Sequence, residues 1–70
     1  MMPLVYATPE EEKIIKKISG NPDVRLHLQN LGFNPGGTVT LISSLGGNVI
    51  VKVKESRVAL SEELARKIMI

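Results

Sequence analysis

Apolar residues change period twice along these 70 residues. Val24, Leu28 and Leu31 recur at the spacing that lines one helical face, and Asn21, Pro22 and Asp23 make a good helix start. The pattern predicts a helix from Pro22 to about Leu31. Gly32 follows where a helix commonly ends in a left-handed residue, so Phe33 should fold back onto Leu28. Pro35 forbids the helix to resume, and Gly36-Gly37 permits a tight turn. From Thr38 the period becomes alternating. Thr38–Ser43 reads as a strand with Val39 and Leu41 on one face and Thr40 and Ile42 on the other. Leu45-Gly46-Gly47-Asn48 reads as a hairpin loop. In the next strand Val49, Val51 and Val53 alternate with Ile50, Lys52 and Lys54, giving one buried and one mostly wet face. Glu55-Ser56 turns the chain into a short strand, Arg57–Leu60. Ser61 then caps a helical turn or two with Glu62 and Glu63 at its start and Arg66 and Lys67 at its end. Met69-Ile70 adds a last strand.

Ahead of this, Pro3 to Ala7 is a short apolar, extended lead-in. The stretch from Thr8 to Ser19 reads locally as a helix: Thr8 as cap, Pro9 at the first helical position, Glu11 completing a capping box, and Ile14 and Ile18 one turn apart. Several short strands, tight hairpins and one inserted helix in so short a chain suggest a small closed or nearly closed barrel.

The run Arg25 to Gly36 holds Leu28-x-x-Leu31-Gly32-Phe33-x-Pro35-Gly36, followed by the alternating strand Val49–Val53 and then Arg57-Val58-Ala59-Leu60-Ser61. In that order and spacing these pieces resemble the FeoA family, ferrous iron transport protein A, over nearly the whole chain. The sequence departs from the family pattern at Pro9-Glu10, Val49 and Glu55-Ser56, positions that bear on loop shape. The resemblance implies a single domain over residues 1–70: a mainly β, SH3-like barrel with one helix inserted between its first two long strands and a short C-terminal helix. It also implies that Glu11–Ser19 is the first long strand, against its local pattern, with Ile15 and Ile18 facing inward across a bulge. The function it implies is that of a small cytoplasmic accessory protein of ferrous iron uptake. Its partner would be the membrane permease FeoB, through a cytoplasmic part that binds guanine nucleotide. The alternative class is an SH3-like domain related to metal-dependent transcriptional repressors.

Composition narrows the chemistry. Nine Lys and Arg against seven Asp and Glu leave a net charge of +2, short of a nucleic-acid footprint, and Tyr6 and Phe33 do not sit among the lysines as stacking platforms would. No cysteine is present, so a thiolate metal site is excluded. No run is long enough to cross a bilayer and the first residues do not read as a leader, so the expectation is a cytoplasmic protein. His27 is the only histidine and has no second ligand nearby in sequence; the carboxylates of Glu10-Glu11-Glu12 and Glu62-Glu63 fit solvated turns and helix starts better than a hard-ion site. No nucleophile or phosphate-loop motif is found, and neither an enzyme nor a bound cofactor or metal is expected.

What remains is a binding role. Lys13, Lys16 and Lys17 fall on the first strand, and Lys52, Lys54 and Arg57 flank the Glu55-Ser56 turn. Leu45 sits at a hairpin tip, where it either folds back to plug the barrel end or stands out as an apolar anchor. The expected partner-binding residues are therefore Leu45, with Lys52, Lys54 and Arg57 as a charged rim.

Overall fold

The computed structural model describes all 70 residues. A single 3-10 turn at Leu4–Tyr6 leads into β1 (Glu12–Ile14), β2 (Lys17–Ile18), α1 (Pro22–Asn30), β3 (Thr38–Leu45), β4 (Asn48–Val53), β5 (Ser56–Ser61), α2 (Glu62–Ala65) and β6 (Ile68–Met69). The strands form two antiparallel sheets, one in the order β1-β3-β4-β5 and one pairing β2 with β6. The protein is mainly β with two helices. Its hydrogen-bonded ladder does not run round to close on itself, so the two sheets stand as separate hydrogen-bonded units.

The segment that reads locally as a helix contains none. Glu10 has φ 66°, which an α-helix cannot accommodate, and its N–H donates to the Leu41 carbonyl at 2.7 Å. The Glu11 N–H reaches the Thr8 carbonyl at 3.3 Å, so Thr8 to Glu11 form a turn instead of a capping box. Beyond it the chain is extended, and Ile15 and Ile18 both face the core. That inward pair is odd for a flat strand, where residues three apart face opposite ways. The chain resolves it by changing partners. β1 pairs with β3, Ile15 exchanges bonds with Gly36 and Gly37, and at Lys16 the N–H turns to the Met69 carbonyl at 2.8 Å. The expected continuous strand is thus split into β1 and β2, one in each sheet.

α1 starts as its sequence predicts, with the Asn21 Oδ1 accepting from the Val24 N–H at 2.9 Å. Its end is a full Schellman closure: the Phe33 N–H donates to the Leu28 carbonyl at 3.0 Å and the Gly32 N–H to the Gln29 carbonyl at 2.9 Å, with Gly32 at φ 106°. Leu28 and Phe33 are both fully buried. Leu31, expected on the same face, is instead exposed, because it is the capping residue where the helix turns away from the core.

β3 runs two residues further than the alternation predicts. A bulge between Leu41 and Ser43 adds Ile42 and lets the strand continue to Leu45. Val39 and Leu41 from β3, Val49, Val51 and Val53 from β4 and Leu60 from β5 line the inner face, and Leu4, Ala7, Ala65, Ile68 and Ile70 join them in the apolar core. No polar side chain is buried in it. The second turn lies at Lys54-Glu55, one residue before its expected place, since Val53 pairs with Ser56. The last strand is likewise Ile68–Met69, while Ile70 exchanges backbone bonds with Met2 at 2.8 and 2.9 Å.

Candidate partner-docking surface

Because β4 alternates strictly, Asn48, Ile50 and Lys52 point away from the core. Register carries the pattern to the neighbours. Ile50 stands opposite Ala59 and Lys52 opposite Arg57, and Thr40 on β3 faces Lys52 from the other side, with Glu12 beyond it on β1. One transverse row on the outer face therefore reads Glu12, Thr40, Lys52, Arg57. Two like charges directly across a ladder repel. Neither has a carboxylate partner: the protein's two ion pairs are Lys13 with Glu11, and Arg66 with Glu62 at 2.6 Å, both elsewhere.

Lys54 does not join that row. It occupies the turn at φ 55°, and its Cδ and Cε lie 3.8 Å from where a Cβ on Gly32 would stand. Its aliphatic stem therefore runs along the end of α1, where a cation also complements the last helical carbonyls.

Leu45 is 82% exposed, so it does not fold back over the core. It pairs with Asn48 across the Gly46-Gly47 turn, and the Glu62 N–H donates to the Gly47 carbonyl at 2.9 Å, which sets the tip beside the start of α2. The charged residue this bond brings to the tip is Glu62, whose carboxylate pairs with Arg66. From Asn48 to Lys52 the strand advances about 14 Å. Of the four expected partner-binding residues, the structure brings Lys52 and Arg57 together, turns Lys54 toward α1 and leaves Leu45 at the far end of the same hairpin.

His27 is exposed on α1, and no three His, Cys, Asp or Glu side chains converge where they could hold a metal ion. The sequence reading passed over one concavity, an open groove of about 380 Å³ lined by Met1, Met2, Glu12, Ile14, Lys16 and Ile70 among others. Its walls come from both ends of the chain, which local patterns do not connect. The available signal was Ile14, an apolar residue on the outward side of its strand.

No helix of this protein is long and apolar enough to cross a membrane. The chain matches the FeoA domain over residues 2–70. It is 37% identical, over its whole length and 85% of the relative's, to a Methanocaldococcus jannaschii protein named as a candidate Fe(2+) transport protein A. The crystal structure of an iron uptake regulatory protein (FeoA) superimposes with a TM-score of 0.86 at 30% identity, covering 96% of this chain and 89% of that one. A manganese-dependent transcriptional repressor aligns with a TM-score of 0.83 at 16% identity over 94% of this chain but 38% of its own, a likeness of fold alone. The match over residues 2–70, together with a relative 37% identical over the whole chain, makes this chain a member of the FeoA family of ferrous iron transport proteins.

Proposed function

We infer that the protein is a non-catalytic, cytoplasmic accessory protein of ferrous iron uptake that binds the cytoplasmic part of a FeoB-type permease. On this reading the domain is an SH3-like barrel serving as an adaptor. The observation that carries it is the outer surface itself: an exposed leucine at a hairpin tip and an unpaired Lys52–Arg57 couple, with every buried side chain apolar. Exposed apolar anchors and uncompensated charge suit a partner surface, whereas catalysis asks for polar groups gathered in a water-poor cleft. Leu45 supplies apolar contact at one end of the β3–β4–β5 meander, and Lys52, Arg57 and, from the turn, Lys54 speed encounter at the other. A repressor-type regulatory domain is the second reading, favoured only by the fold likeness to the manganese-dependent repressor.

The test is capture of the purified chain by the cytoplasmic domain of the candidate permease, with and without guanine nucleotide. Wild type is expected to bind in at least one nucleotide state and Leu45→Ser less well. No capture in any state defeats the proposal. The same reading expects weak binding of Fe²⁺ by the isolated chain, for want of Cys and of a second His. A tight one-to-one complex in calorimetry would contradict that.

A further inference from the structure

β5 is an edge strand of six residues, twice the length of the other edge of its sheet, β1. Its only ladder is with β4. Because the turn holds just Lys54 and Glu55, the flanking residues Val53 and Ser56 form a hydrogen-bonded pair, and pairs alternate from there. Ser56, Val58 and Leu60 thus spend their backbone groups on β4. The N–H and C=O of Arg57 and Ala59 point the other way, to the open edge. No backbone bond outside the ladder engages either residue, and both are exposed.

The side chains beside this edge are not neutral. In the non-hydrogen-bonded pairs the side chains approach most closely, which holds Lys52 against Arg57 and Ile50 against Ala59 on the outer face. An unpaired edge thus carries two adjacent cations without counterions and, one step along, a small apolar couple.

We propose that β5 is a strand-addition site for an extended acidic segment of a protein partner, laid antiparallel along Arg57 and Ala59. The inference rests on the adaptor reading above and specifies its contact. An incoming strand would exchange backbone bonds with Arg57 and Ala59, and its side chains opposite them would fall on the outer face. The residue opposite Ala59 comes first and packs on that small side chain, with Ile50 one strand beyond, so it is apolar. The residue two further on stands opposite Arg57, within reach of Lys52, and is Asp or Glu. The segment therefore reads apolar-x-acidic. Charge decides the occupant: a carboxylate there relieves the Lys52–Arg57 repulsion, while a second copy pairing β5 with β5 sets a further Lys52–Arg57 couple along the same edge. Nucleic acid is disfavoured, since Glu55 sits in the adjoining turn and no aromatic side chain lies in the row.

The test follows amide exchange in the ¹⁵N-labelled full chain, alone, with the permease cytoplasmic domain, and with a Val–Glu peptide of about ten residues that repeats Val-Thr-Glu-Thr, or its Val–Lys counterpart with Lys in place of Glu. With the peptide, exchange at the Arg57 and Ala59 amides is expected to slow by about tenfold or more, and a Val–Lys peptide should leave them unchanged. Ala59→Pro removes an N–H that the fold does not use, and proline is tolerated at such edge positions. This variant is expected to melt near wild type and to lose peptide binding, as Arg57→Glu should. If the Val–Glu peptide leaves both amides unchanged, or Ala59→Pro binds it as wild type does, the strand-addition site is refuted whatever the permease does. If the two amides are protected in the chain alone and increasingly so with its concentration, a second copy holds the edge and the acidic partner is wrong. If the peptide binds and the permease domain does not, the edge site stands and the adaptor reading falls.

Discussion

The two hairpins that share β4 close with two-residue turns of opposite chemistry. Gly46-Gly47 has both residues at positive φ, 58° and 81°, the conformation that matches strand twist and that glycine adopts most cheaply. Lys54-Glu55 has positive φ only at its first residue, 55°, where glycine is the usual occupant and a lysine stands instead. The glycine turn leaves its tip bare: nothing lies within 4 Å of where a Cβ on either glycine would be. The lysine turn is tied down, its stem against the end of α1 at Gly32. Backbone ease and side-chain anchorage are thus alternative ways to hold a turn, and each leaves a different surface. One projects a leucine, and the other sets a cation couple beside an open edge.

The comparison can be broken most severely at the glycines. Gly46→Ala with Gly47→Ala forces two residues with Cβ into left-handed conformations, costing about 2–4 kcal/mol. Since no neighbour obstructs the added methyls, the loss is conformational and should appear as a large fall in melting temperature. If the double variant melts like wild type, the turn does not depend on glycine. At the other turn the usual ranking of Ala and Gly should invert. Lys54→Gly is expected to be more stable than Lys54→Ala by about 1 kcal/mol, a difference of about 4–8 °C for a domain of this size. Equal melting would mean the backbone there is not strained. Lys52→Glu exchanges a cross-strand repulsion for an attraction and should stabilise by about 0.5 kcal/mol, an effect that shrinks as salt is raised in parallel melts. Leu45→Ser should change stability least, by under about 0.5 kcal/mol, because its side chain touches so little. A drop of several degrees on that substitution would restore the plug.

Much of this was legible in the residues. Asn21, Pro22, Gly32 and the three alternating valines of β4 state their roles locally, because capping, left-handed closure and one-faced burial each depend on a few adjacent side chains. Thr8 to Ser19 was not legible locally, for its fate is set by distant groups: the Leu41 carbonyl that takes the Glu10 N–H, and Met69, which draws Lys16 into the second sheet. Only the family pattern contained that information. The Lys54-Glu55 turn was misplaced by one residue since nothing in its composition marks a residue at positive φ. For the candidate surface, sequence gave the residue types and not their grouping. Leu45 and Lys52 are close in number yet lie at opposite ends of the β3–β4 hairpin, and the Lys52–Arg57 pairing emerges only from register.

The exchange of backbone bonds between Met2 and Ile70 bears on the order in which the chain folds. Each hairpin of the β3–β4–β5 meander closes over two residues and can form early. The small sheet and the bridge beside it must gather Pro3, Lys17 and Met69 from three distant places, and the Met2–Ile70 seam joins residues far apart in sequence. That seam should be last to form and first to open, so amides of Met2, Lys16 and Ile70 should exchange through partial opening while those of Val49 and Val51 wait for global unfolding.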